Sequence, residues 1–197
     1  MSSLGISLPW SRAECRISYR RAKLGLGEIA SVALADDNNG RTVLCAIGFW
    51  GSNSVVLASS TDLAILEQIA EASLPRSIVM KRSSEASSAD SSNSLLMLIG
   101  QGDGTVTTRT VSFGETPSLG IAEKITIGDR NVMALGRTPV HLTMSPAQDG
   151  SSQILSLSDR VSIIYEEQER ISRSSLNLNV SLEQASIPVC LPLNLVS

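Results

Sequence analysis

Leu44-Cys45-Ala46-Ile47-Gly48, Leu96-Met97-Leu98-Ile99-Gly100 and Ile154-Leu155-Ser156-Leu157-Ser158 are three versions of one pattern: an apolar run that ends on a small residue. Each leads through a short turn into a second run: Val55-Val56-Leu57, Thr105-Val106-Thr107 and Val161-Ser162-Ile163-Ile164-Tyr165. Each is preceded by a third: Ile29 to Leu34, Arg76-Ser77-Ile78-Val79-Met80, and Thr138 to Met144. Runs of about five or six residues bounded by turn formers read as β-strands. The pattern recurs 52 residues on (44 to 96) and again after 58 (96 to 154). A period near 50 built from short strands is the signature of propeller blades.

The predicted fold is therefore all-β, a partial β-propeller of about three four-stranded antiparallel blades. The blades fall at about 28–72, 74–127 and 138–179, and 180–197 reads as the start of a further one. A single blade cannot bury both its faces, so blades must pack on one another. Gly48, Gly100 and Ser158 are expected at the turn between inner strands, where converging blades leave little side-chain room. Three blades leave two sheet faces and their edges open. The expectation is a piece of a longer propeller, or a truncated gene product, rather than a self-sufficient domain.

Between the runs the sequence is polar. Asp62 to Ala72 carries Leu63, Leu66, Ile69 and Ala70 at helical spacing, yet in a β context an outer strand plus turn is the preferred reading. Ser83 to Ser94 reads as a disordered surface loop, since it offers too little apolar area to offset its chain entropy. Ser145 to Ser152 reads as a second loop.

Composition agrees and excludes. Of 197 residues, 42% are hydrophobic and only 3% aromatic, while 33 are Ser. The longest apolar runs are too short to span a membrane as a helix. Cys15, Cys45 and Cys190 form no CxxC pair, and the odd number fits a reducing compartment. His141 is the sole histidine, which excludes a two-His metal site or an RNase-like histidine pair within the chain. Net charge is -3. Residues 1–27 hold five basic side chains and Glu14, while the remainder holds 11 basic and 18 acidic. That body has no basic stripe to neutralise phosphates, which argues against direct nucleic-acid binding. The basic start reads as a poorly ordered leader in preference to a mitochondrial presequence.

Few motifs point to chemistry. Gly100-Gln101-Gly102-Asp103-Gly104 has the glycines of a phosphate loop, but it joins two strands, and Asp-Gly is a hairpin signal. Asp36-Asp37-Asn38-Asn39 lacks the spacing of a calcium loop. Glu166, Glu167 and Glu169 read as a charged hairpin tip rather than a glycosidase pair, because neighbouring strand residues face opposite ways. Asn179-Val180-Ser181 matches a glycosylation sequon that no visible signal peptide makes relevant. His141 is expected to be a satisfied structural histidine, and Cys45 a small hydrophobe in a strand. No catalytic residue, metal ligand or cofactor site is expected. Trp50, in Phe49-Trp50-Gly51, lies where a turn would normally be polar. It is either a partner-binding anchor or a cap on the blade core.

Four stretches allow a comparison: Leu44 to Trp50, Leu74-Pro75-Arg76-Ser77-Ile78, Leu135-Gly136-Arg137-Thr138-Pro139-Val140, and Ser158-Asp159-Arg160 followed by Ile164-Tyr165. In that order they resemble the multi-propeller family of damage-specific DNA-binding protein 1. That family also holds the cleavage-and-polyadenylation factor large subunit and a splicing factor 3b subunit. Ser175-Leu176-Asn177-Leu178-Asn179 resembles the strand that follows. The resemblance runs from about Glu28 to Asn179 and implies the later blades of the middle of three propellers. It implies a non-catalytic adaptor that docks a cullin-4-type scaffold in a RING ubiquitin ligase serving protein ubiquitination and DNA repair, nuclear and also cytoplasmic, with other ligase subunits as partners. By motif it places Glu28, Phe49 and Trp50 at the partner-binding surface. The alternative is an RNA-processing scaffold of the same family, in cleavage and polyadenylation or in splicing. Ser158-Asp159-Arg160 favours the first branch.

Overall fold

The computed structural model describes residues 27–36, 42–82, 94–116, 121–146, 152–167 and 170–176. Among these residues thirteen strands form three antiparallel sheets. The first sheet holds β1 (Ile29–Asp36), β2 (Thr42–Phe49), β3 (Ser54–Ser59) and β4 (Ile65–Ala70), paired in that order. The second holds β5 (Pro75–Arg82), β6 (Ser94–Gln101), β7 (Thr105–Thr116) and β8 (Ile121–Ile127), with β9 (Asn131–Ala134) also paired to β7. The third holds β10 (His141–Pro146), β11 (Ser152–Leu157), β12 (Val161–Glu167) and β13 (Arg170–Ser175). The fold is the expected all-β one.

The sheets stack as blades. β1 lies against β5, and β5 against β10, so the first strand of each sheet lines the inner side. One apolar cluster fills the seam between the first and second sheets, from Leu44, Ala46, Val55 and Leu57 to Met97, Ile99, Val111 and Phe113. Another fills the seam between the second and third, with Leu96, Leu98 and Val106 facing Val140, Leu142, Ile154 and Ile164. The middle blade is thus covered on both faces. This is why Leu95 to Ile99 is apolar without alternation: each neighbour in the run faces a different seam. Burying one such side chain stabilises by about 1.5–3 kcal/mol, so these two seams supply most of what holds the blades together. Cys45, Ile47, Phe49, Val56, Ala58 and Leu63 form a third cluster on the opposite face of the first blade.

Two seams repeat one device. Ser31 Oγ accepts the Ile78 N–H of the next blade at 2.9 Å. Ser77 Oγ accepts the Leu142 N–H at 2.9 Å and donates to the Val140 carbonyl at 2.9 Å. Directly across from these serines on the second strands stand Gly48 and Gly100. A Cβ on Gly100 would sit 2.5 Å from both Ser77 Oγ and the Val140 carbonyl oxygen, and one on Gly48 3.2 Å from Pro75. The blades approach closely only because these positions are bare.

This corrects one expectation. Gly48 and Gly100 lie within strands, not in the turns that follow them. The third blade's counterpart is Leu157, paired with His141, one residue before the Ser158 chosen from the repeat. The middle sheet also has five strands rather than four. β7 is 12 residues long and pairs β8 through its second half and β9 through Thr105–Thr108, so two short strands share the outer row.

Within Asp62 to Ala72 the strand reading holds, as β4. The chain reverses at a turn closed by Ser59 N–H to Ala64 O at 3.0 Å. Leu63 takes a φ of 58° there and is buried. A left-handed leucine costs on the order of 1 kcal/mol, less than its burial returns. Residues 83–93, 147–151 and 177–197, which carry the Ser-rich loop, most of the second loop, the sequon and the further blade, lie outside the described residues, as does the basic leader up to residue 26.

Candidate functional site

Trp50 begins the turn between β2 and β3 and is 48% exposed. Its backbone N–H donates to the Glu28 carbonyl at 2.7 Å, which ties the turn to the residue just before β1. Glu28 is itself exposed. Two of the three residues expected at a partner surface are therefore joined there. Phe49 is not on that surface. It points into the third apolar cluster and is 3% exposed, because strand alternation sends it to the face opposite Gly48. Its part is to hold the strand end from which Trp50 projects.

Sequence reasoning did not anticipate the neighbour of Trp50. The Arg76 guanidinium carbon lies 4.3 Å from the centre of the indole ring, a cation–π stack across the seam of the first two blades. Local backbone geometry puts it there. Pro75 pairs with Gln101 and Ser77 with Gly100, so Arg76 is an extra residue with no partner, a β-bulge. Bulges re-aim side chains out of strand alternation. The first blade has the same irregularity between Ile29 and Ser31. On its other side Arg76 borders the β6–β7 turn, where a Cβ on Gly102 would meet its Nε at 3.3 Å. Arg76 Nη1 is buried and has no hydrogen-bond partner. A stack of this kind stabilises by roughly 0.5–2 kcal/mol, whereas a sheltered charged donor without an acceptor costs about 1–3 kcal/mol or more. The pair is thus not internally satisfied. The sequence signal was only an Arg between Pro75 and Ser77 at the start of a strand, and nothing in it announces a bulge.

The remaining candidates resolve into structure. The β6–β7 connection is a hairpin turn over Gly102 to Gly104, with Gly104 at φ 87° and Asp103 Oδ1 accepting from the Thr105 N–H at 3.0 Å and hydroxyl at 2.7 Å. No helix follows it. Asp36 accepts from the Thr42 hydroxyl at 2.7 Å across the β1–β2 connection. Glu166 and Glu167 pair with Ile171 and Arg170 at the β12–β13 hairpin end, and Glu169 lies outside the described residues. His141 is exposed at the start of β10 rather than enclosed, since this blade's far face has no neighbouring sheet among the described residues. Cys45 is fully buried, and burial pushes its thiol up to about 11 against a small opposing hydrogen bond from Ala58, so it carries no nucleophile. Among the described residues no group of three His, Cys, Asp or Glu side chains is placed to hold a metal, and no helix is long and apolar enough to cross a membrane.

Two of the motifs compared above prove to be halves of one clasp. Asp159 Oδ2 accepts the Arg137 N–H at 2.7 Å, and Ser158 Oγ donates to the Thr138 carbonyl at 2.7 Å. Ser-Asp-Arg thus closes on Gly-Arg-Thr-Pro within the third blade. The Arg137 N–H first, then the Thr138 side chain, hold the Asp159 carboxyl below its ordinary value.

A buried polar cluster locks the first seam. The Glu71 carboxylate, wholly shielded, takes Arg109 Nε at 3.3 Å and Arg130 Nε at 3.6 Å. It also accepts from Gln101 Nε2 at 2.9 Å, which reaches Thr107 at 2.8 Å. Glu71 follows β4, while its partners belong to the second blade. The cluster is a structural tie and exposes no reactive group.

Comparison with known proteins agrees with this architecture. The family model described as the RSE1/DDB1/CPSF1 second beta-propeller matches residues 15–186. Among solved structures, the WD40 domain of SCAP from fission yeast is similar, with a TM-score of 0.54 at 12% identity, over 77% of this chain and 32% of that one. The fission yeast SREBP–SCAP binding domains give 0.52 at 10% identity, over 80% of this chain and 39% of that one. The chain spans about a third to two fifths of the length of these structures, and at such identity the likeness is one of fold.

Proposed function

Since the chain belongs to the RSE1/DDB1/CPSF1 second beta-propeller family, we propose that it is a non-catalytic docking surface for a cullin-4-type scaffold, within a ubiquitin ligase that serves protein ubiquitination and DNA repair in the nucleus and cytoplasm. The mechanism is rigid positioning. Blades packed through two apolar seams hold the Trp50 turn and Glu28 in a fixed relation, and the partner buries the indole.

The observation that carries this reading is the exposed Trp50, joined to Glu28 by a 2.7 Å backbone hydrogen bond. Trp is enriched among the few interface residues that dominate binding energy. Its aromatic body supplies apolar area while its N–H remains available to a polar rim.

The test is a pull-down with the N-terminal region of a cullin-4 scaffold. Trp50→Ala should weaken capture by about 30-fold, the equivalent of a loss near 2 kcal/mol, with the β-sheet circular dichroism unchanged. Undiminished capture by a folded Trp50→Ala protein removes the anchor. Capture of splicing or 3′-end processing subunits in place of the cullin moves the chain to the RNA-processing branch.

A further inference from the structure

We infer that Trp50 and Arg76 together form a seat for a carboxylate, supplied by an acidic side chain on the docked protein segment. The inference rests on the docking surface proposed above and adds the chemistry of what it takes.

Among the described residues no acid pairs with Arg76. Its guanidinium stacks on the Trp50 ring, 4.3 Å away, it borders the Gly102 turn, and its Nη1 is enclosed without an acceptor. Glu71, the acid that precedes Arg76 in the chain, is engaged by Arg109, Arg130 and Gln101. Guanidinium donors form a planar fork that matches two carboxylate oxygens, and pairing strengthens where water is excluded. The indole supplies an apolar wall for the methylenes of the incoming side chain. Arg76 as a whole is only half-buried and Trp50 is exposed, so the pair is open to an incoming side chain although Nη1 itself is enclosed.

Position favours a protein partner. The seat lies where the β2–β3 turn of one blade meets the bulged first strand of the next, beside the Gly102 turn. Glu28 at the rim, exposed and acidic, disfavours a phosphate dianion more than a single carboxylate, and the acidic body disfavours a polyanion.

The full chain, labelled with nitrogen-15, is titrated with the capped peptide Ac-Ala-Leu-Glu-Leu-NH2, with its Gln counterpart and with a phosphoserine counterpart, while the arginine Nε–H signals are followed by NMR. The Glu peptide should move the Arg76 signal saturably and bind at least tenfold more tightly than the Gln peptide. Arg76→Gln should abolish that difference, while Arg76→Lys should retain only part of it, showing that the fork and not the charge alone is read. An Arg76 signal unmoved by Glu, or moved equally by Gln, overturns the inference. Tighter binding of phosphoserine than of Glu overturns it in favour of a phosphate. The cullin pull-down is read separately: lost cullin capture with an intact Glu response refutes the partner but keeps the seat. Cullin capture that is sensitive to Trp50→Ala but indifferent to Arg76→Gln, with silent peptides, refutes the seat but keeps the docking surface.

Discussion

At the scale of single residues, Glu71 shows how much a polar side chain can hold. Its carboxylate is wholly shielded and ties the end of the first blade to Arg109, Arg130 and Gln101 of the second. Removing one member of such a cluster leaves the others buried and unpaired. Arg109 and Arg130 retain some exposure and can rehydrate in part, whereas Gln101 is fully buried. Glu71→Ala should therefore destabilise by roughly 2–3 kcal/mol, at the lower edge of what breaking a buried pair costs. Urea unfolding reads this as a lower midpoint at unchanged slope. A midpoint within error of wild type shows that the cluster contributes nothing net. The sequence could not have revealed Glu71. It is one acid after an apolar strand, and its partners lie 30 to 59 residues further on.

At the scale of elements, the turn between β11 and β12 and the loop before β10 hold each other. The Asp159 carboxyl, lowered by the Arg137 N–H and the Thr138 side chain, binds this loop in its charged form. Its folded value lies below its unfolded one. The clasp's contribution is therefore present above the ordinary carboxylate value of 3.8 and is lost as pH falls through the lower folded value. Melting temperature compared between wild type and Asp159→Asn should differ at pH 6 and converge as the pH drops below 4. A constant difference across that range shows that ionisation of Asp159 plays no part. Strand runs were legible at this scale because their residues are apolar and short. Pairing of a fifth strand in the middle sheet was not: β9 is Asn131-Val132-Met133-Ala134, largely exposed, and only the length of β7 gives it a partner.

At the scale of the whole molecule, the close approach of blades decides the architecture. Gly100 faces the backbone of Val140 in the next blade, and a Cβ there would collide with a carbonyl that the strand cannot easily move. Gly100→Ala should push the third blade away from the second and weaken the Ser77 to Leu142 hydrogen bond. Hydrogen exchange should speed up at the Leu142 amide while Ile78, in the other seam, remains protected. Equal acceleration in both seams, or in neither, contradicts the independence of the two junctions.

The sequence alone determined that the chain is built of repeated small antiparallel sheets, because strand length, turn residues and a period near fifty are local properties written along the chain. It also pointed to Trp50, an aromatic in a turn where water would ordinarily favour polar residues. Only the tertiary structure decided that Phe49 is core, that a bulge carries Arg76 onto the Trp50 ring, and that Leu157 stands where the other blades have glycine. These facts depend on register and on contacts across a seam, where one residue of slip exchanges the faces of a strand, and no linear pattern encodes that choice.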